Sequence, residues 1–321
     1  MGSIELKELL EKTGLSRDIE DAAIVPVPNS NLVMVKSLDI FTPIVDEPQT
    51  MGEIAACNVT NDVFAMNVPE ISGMLVFLGI NTNTPMKIAE RILEGIKFFM
   101  EKKINSKVDG GHTIYSEWPL IGGEASGFVN KNSIILKKGV KEGDKLILTK
   151  PIGLQPIMAA YRLLKDSPEM LDTYSKKELK NSIELAIKIM TTPNQNVVQT
   201  IHSYQDFSFI HAMTDVTGFG LAGHLLEILQ NSNLSAIIET IPSIQHSESL
   251  SNDFGFLFNE CKCAETAGGM LLAVDPNMSE EFSIRLSSNG ILNWIVGKID
   301  SVAYEQVRVS KNVKNIEITK I

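Results

Sequence analysis

Apolar residues recur at helical spacing in several places along the chain. Ile88, Ile92, Ile96, Phe99 and Met100 put one apolar face on a helix over about residues 86–102, and Leu179, Ile183, Ile187 and Met190 do so over 176–190. A shorter repeat, Leu6, Leu9 and Leu10 with Gly14 just beyond it, predicts a helix over residues 4–12, followed by a polar stretch over 16–21. Residues 51–66 suit a helix that sets Asn58 and Asp62, four apart, on one face. Compact apolar runs predict strands at residues 32–35, 74–80, 133–136, 145–148, 207–213 and 270–274. Asp109-Gly-Gly-His112 breaks the pattern and reads as a turn, and Gly218-Phe-Gly220 reads as a sharp entry into a helix over 221–229. Strands and helices are mixed throughout without an internal repeat, so the class is α/β or α+β.

Composition sets the scale. With 321 residues, 44% hydrophobic and 21% charged, the chain can build two globular cores, and the boundary is expected near residue 140, giving units 1–140 and 141–321. The N-terminal segment is charged throughout and has no signal-peptide core, and no run approaches the roughly 18 apolar residues of a membrane span, which reads as cytoplasmic. The net charge of −10 weighs against nucleic acid as a partner. It leaves ATP open, provided that metal ions or backbone N–H groups stand between the protein's carboxylates and the phosphates. The three cysteines, Cys57, Cys261 and Cys263, are too few for a disulfide framework, and Ala55-Ala56-Cys57-Asn58 suggests a small buried thiol. His224 reads as a packing residue of its helix, and His202, His211 and His246 lack metal-ligand spacing.

The candidate chemistry lies in four aspartates, Asp21, Asp39, Asp62 and Asp215, each beside an apolar run. Asp39 is expected just past its strand and Asp215 at the end of its own. A single aspartate in such a place is more often a cap or turn residue. Were the four to converge, their charges would repel by about 4 kcal/mol for a pair ~4 Å apart at an effective dielectric of ~20, so the cluster would call for cations. All-oxygen ligands suit Mg²⁺ shared with phosphates. Gly110-Gly-His-Thr113 offers small residues that let backbone N–H groups approach a phosphate, and no Walker A loop is present.

The runs Ser37-Leu-Asp-Ile-Phe-Thr-Pro43, Asn58-Val-Thr-Asn-Asp62, Gly110-Gly-His-Thr113, Met213-Thr-Asp-Val-Thr-Gly-Phe-Gly220 and Thr266-Ala-Gly-Gly-Met270 together resemble the selenophosphate synthetase (selenide, water dikinase) family, within the aminoimidazole ribonucleotide synthetase-like superfamily. The resemblance covers nearly the whole chain in order. It implies an N-terminal domain that forms a β-barrel with a second copy in a homodimer, a C-terminal α/β domain, and ATP in the cleft. It implies synthesis of selenophosphate from selenide, ATP and water, with AMP and phosphate released. In the family pattern Asp21, Asp62 and Asp215 match metal-binding aspartates for Mg²⁺, while Asp39, Asp62, Gly111, His112 and Thr113 match nucleotide contacts.

The chain departs from that pattern at Ile19-Glu20, at Asn67-Val68 and at Ala264-Glu265, where Pro-Gln is usual. The family's N-terminal Gly-Cys/Sec-Gly-Cys-Lys loop has no counterpart, so no catalytic nucleophile is identified, and the chain as given is expected to bind nucleotide with little turnover of selenide. Two alternatives stay open: a superfamily member acting on another nucleophile such as sulfide, and a catalytically silent ATP-binding regulator.

Overall fold

The computed structural model describes residues 9, 10, 12–14, 20–301 and 304–320. Leu9, Leu10, Lys12 and Thr13 are helical, and the remainder of the helix expected over 4–12, like most of the polar stretch after it, lies outside the described residues.

The first half builds a five-stranded sheet. Its strands are β1 (Ala23–Pro26), β2 (Leu32–Phe41), β3 (Ile71–Ile80), β4 (Val108–Tyr115) and β5 (Leu120–Asn130), in the order β1-β2-β5-β3-β4. Only β3 and β4 run parallel; the other pairs are antiparallel. Two helices cover one face, α1 (Pro48–Ala65) and α2 (Met86–Phe98), the latter ending in a π-helical turn over Phe99–Lys103. α2 has the one-sided pattern expected, with Ala89, Ile92 and Ile96 buried. α1 is apolar nearly all round and buried from Met51 to Ala65 with few breaks, because it packs on β2 and β5 and also on β7 and α4 of the second half, defined below. The crossing of α1 and α2 is close: a Cβ on Gly52 would lie 2.0 Å from Ile92 O, and one on Gly95 would lie 1.9 Å from Gln49 O.

The second half adds β6 (Lys145–Leu148), α3 (Leu154–Asp166), α4 (Lys176–Met190), α5 (Gln195–His202), β7 (Ile210–Asp215), α6 (Gly220–Ile228), β8 (Ser235–Ile244), α7 (Ser247–Phe254), β9 (Met270–Val274), α8 (Ser279–Ser288), β10 (Trp294–Asp300) and β11 (Val307–Ile318). Its six-stranded sheet has the order β11-β8-β10-β6-β9-β7. All of β9 is buried: Met270, Leu272 and Val274 join the core shared with α1, α4, α5 and α8, while Leu271 and Ala273 face the core of α6. A strand covered on both faces reads as an unbroken apolar run.

Three sequence expectations are corrected. Asp39 lies inside β2, which continues to Phe41, rather than past a strand end. Residues 109–112 form part of β4, because pairing with β3 holds the glycines extended in place of a turn. Residues 133–136 form no strand: Lys131–Ser133 is a 3-10 turn, and Leu136 O accepts one backbone bond from Met213 N.

Candidate active site

α1 runs between the two sheets and delivers the first polar groups. Asn58 and Asp62 share its face as their spacing requires. Asn58 Nδ2 donates to Asp39 Oδ2 at 2.8 Å, and Ser37 Oγ donates to Asp62 Oδ2 at 2.5 Å. Ser37 and Asp39 alternate with exposed Leu38 and Ile40 along β2, so both face α1. Asp215 closes β7 from the other sheet, and Asp21 stands just before β1.

Asp21, Asp62 and Asp215 each offer a carboxylate oxygen, and these oxygens lie within 4.8 Å of one another. Asp21 Oδ1 is held by Lys137 Nζ at 2.8 Å and Thr214 Oγ1 at 2.9 Å. Asp21 Oδ2 and Asp215 Oδ2 are buried without a hydrogen-bond partner among the described residues. Burial first, and then the Asp21 charge, push the Asp215 carboxyl up to about 7. Burial and the charges of Asp215 and Asp39 hold Asp62 well above the ordinary carboxylate range, and burial lifts Asp39 to about 6. Burial likewise raises Asp21, with Lys137 opposing it. Crowded, desolvated carboxylates with unused lone pairs suit a hard divalent cation.

A second segment frames the cluster. Ala267 N donates to Asn58 Oδ1 at 2.8 Å, and Gly268 O accepts from Asn61 Nδ2 at 3.2 Å and Asn194 Nδ2 at 2.8 Å. Gly268 has no room for a side chain, since a Cβ would lie 1.9 Å from Val216 O. The asparagines thereby tie the loop before β9 to α1, beside Asp215. Behind the cluster, Lys137 Nζ also meets Glu227 Oε2 at 2.9 Å; Glu227 is drawn down to about 2, burial being outweighed by His224 and Lys137 together. His224 Nε2 accepts from Thr217 N at 3.0 Å, so this histidine orders the loop after β7 as well as packing.

Gly111, His112 and Thr113 are not brought into the carboxylate cluster. They lie on exposed edge strand β4, in a register that puts Asp39, Gly123, Val76 and Gly111 in one row across β2, β5, β3 and β4. Three strand spacings separate the ends of that row, or about 14 Å. Cys57 is fully buried, its Sγ donating to Thr192 O at 3.3 Å, and burial raises its pKa, which makes it an inert structural thiol. Cys261 and Cys263 are free and buried.

Sequence reasoning passed over Ser37, Asn61, Asn194, Lys137 and Glu227. Ser37 had a signal available, since it sits one strand period before Asp39. Asn61 stands beside Asp62 in a run already singled out, whereas Asn194, Lys137 and Glu227 reach the site only through tertiary contacts.

Two family descriptions divide this architecture between them: "AIR synthase related protein, N-terminal domain" matches residues 19–129, and "AIR synthase related protein, C-terminal domain" matches residues 141–310. The selenide, water dikinase of Methanococcus maripaludis is 38% identical over 310 residues, 96% of this chain and 90% of that protein. The chain belongs to the selenide, water dikinase family. Another selenide, water dikinase, from Methanocaldococcus jannaschii, is 35% identical over 99% of this chain and 90% of its own length. Solved structures share the fold at lower identity. A thiamine monophosphate kinase from Aquifex aeolicus superposes with a TM-score of 0.71 at 16% identity, covering 98% of this chain and 100% of its own. A HypE–HypF complex structure gives a TM-score of 0.73 at 18% identity, covering 98% and 97%. The two-domain architecture of this selenide, water dikinase family member is thus that of the AIR synthase related proteins. Among the described residues no helix is long and apolar enough to cross a membrane.

Proposed function

We propose that this protein makes selenophosphate from selenide, ATP and water, with release of AMP and phosphate, at the cleft where Asp21, Asp62 and Asp215 converge. The observation that carries the reading is this trio, drawn from both halves of the chain, in a family whose curated relatives are selenide, water dikinases. The residues fit a divalent cation such as Mg²⁺, because two buried aspartate oxygens lack a hydrogen-bond partner among the described residues and the donors are all oxygen. A bound Mg²⁺ would supply charge neutralisation for the polyphosphate oxygens. The chain's own groups do the positioning: Ser37 and Asn58 orient Asp62 and Asp39, and Lys137 and Thr214 orient Asp21.

Asp39 and Asp62 are assigned to nucleotide binding in this reading. Gly111, His112 and Thr113 are assigned as further ATP contacts, supported by the family resemblance and by their exposure. Units 1–140 and 141–321, and a cytoplasmic setting, belong to the same proposal. So does a homodimer through the uncovered face of the first sheet. There Leu38, Leu75 and Phe128 are 65%, 49% and 46% exposed, an apolar surface that a second copy would cover.

The test is selenide-dependent AMP formation together with the phosphorus NMR signal of selenophosphate. It is measured for this chain, for the chain carrying a grafted Gly-Cys-Gly-Cys-Lys loop, and for each with Asp62→Ala. Selenophosphate made in an Asp62-dependent way supports the reading. ATP turnover that selenide never affects, in either form, would overturn it.

A further inference from the structure

Behind the aspartates stands a cation supplied by the protein itself. Lys137 is 7% exposed, and its ammonium lies between Asp21 Oδ1 at 2.8 Å and Glu227 Oε2 at 2.9 Å. The two carboxylates differ in setting: the Asp21 side chain is 4% exposed and belongs to the cluster, while the Glu227 side chain on α6 is 26% exposed, lies outside the cluster and also has His224 Nδ1 3.2 Å from its Oε2. Thr214 Oγ1 shares the Lys137-bound oxygen of Asp21, so the partnerless Oδ2 is the one left for the cluster.

An ammonium that grips one of three mutually repelling carboxylates does part of what a divalent ion does there. It therefore weakens the field that draws such an ion in. Glu227 acts in the opposite sense, for its negative charge offsets the ammonium from the far side. We infer that Lys137 is a built-in competitor at the cation site, holding the carboxylates together in the metal-free protein and lowering their affinity for Mg²⁺, with Glu227 as the counterweight that limits this competition. The inference rests on the cluster being the Mg²⁺ site.

Opposite signs follow for two single substitutions. Lys137→Met removes the competing charge and should tighten Mg²⁺ binding roughly tenfold, while Glu227→Gln leaves the ammonium unopposed and should weaken it by a similar factor. If these side chains only positioned Asp21, both substitutions would weaken binding, commonly 10- to 100-fold for groups behind a ligand. If they served folding alone, both would lower the melting temperature and leave affinity unchanged.

The experiment titrates Mg²⁺ calorimetrically, and Mn²⁺ by electron paramagnetic resonance, into nucleotide-free full chain at pH 8. Wild type, Lys137→Met, Glu227→Gln and Asp62→Asn are compared, with thermal unfolding in EDTA alongside. Tighter binding in Lys137→Met, with a lower melting temperature that Mg²⁺ restores and equal ionic strength of KCl does not, supports the proposal. Weaker or unchanged binding in that variant overturns it. Should Lys137→Met not fold, Lys137→Gln, which keeps a hydrogen-bond donor toward Asp21 and loses the charge, decides in its place: tighter binding supports the proposal and weaker or unchanged binding overturns it. Wild-type binding that Asp62→Asn abolishes, with no change in the other two variants, removes this inference and leaves the metal site standing. No binding by wild type removes both.

Discussion

Replacing Asp62 by Asn separates what the carboxylate costs the fold from what it contributes to the ligand. The amide oxygen can still accept the bond from Ser37 Oγ, so packing is retained and a charge is lost. In the metal-free protein the lost charge is a repulsive one. At the 4.8 Å that bounds the cluster's oxygens, a pair of charges at an effective dielectric of ~20 repels by about 3 kcal/mol. Asp215 is the largest of the charges that act on Asp62, ahead of Asp39 and Asp21, so one such pair sets the scale. Asp62→Asn should therefore stabilise the protein in EDTA at pH 8 by about 1–3 kcal/mol, a rise of several degrees in melting temperature. Saturating Mg²⁺-ATP should stabilise wild type by about 2.7 kcal/mol at 100 times Kd, and most of that gain should vanish in the variant. Melting curves in EDTA and in Mg²⁺-ATP give both quantities. A variant less stable than wild type in EDTA that keeps its Mg²⁺-ATP shift would refute the reasoning.

Three further outcomes are expected. Glu265, fully buried, accepts from Gly153 N and Leu154 N at the start of α3, yet burial pushes its carboxyl up to about 8 from 4.5. A raised folded-state pKa means stability fully present below about 4.5 and lost as pH rises through about 8, at most about 5 kcal/mol, so Glu265→Gln should flatten the denaturation midpoint across that window. Parallel wild-type and variant curves would contradict this. Light scattering should give twice the chain mass, and Leu38→Glu, placed on the exposed apolar face, should shift it toward the single-chain mass; a single-chain mass for wild type at all concentrations would exclude the dimer. Gly268→Ala puts a Cβ 1.9 Å from Val216 O, which should displace the loop beside Asp215 and remove the Mg²⁺-ATP melting shift even where the protein still folds. An undiminished shift would show that this loop does not shape the site.

Local patterns in the sequence determined those elements whose surroundings are uniform. β9 reads as an unbroken apolar run because it is covered on both faces, and α2 and α4 read as helices because each buries one stripe. The four-residue step from Asn58 to Asp62 likewise fixed that both face one way, whatever they face. β5 buries alternate positions from Gly123 to Val129, but three of those four are Gly123, Ala125 and Gly127, too small to mark an apolar period, so the sequence shows no strand there. Backbone pairing with β3 straightened Asp109-Gly-Gly-His112, where glycine's own preference is to turn. The convergence of Asp21, Asp62 and Asp215 was decided by tertiary structure alone. Burying α1 between the two sheets is what draws carboxylates far apart in the chain to within 4.8 Å, and hydrophobic burial is strong enough to hold them there against their repulsion. Lys137, its ammonium set behind Asp21, left no mark in the sequence, because nothing local to a lysine says which carboxylates the fold will bring to it.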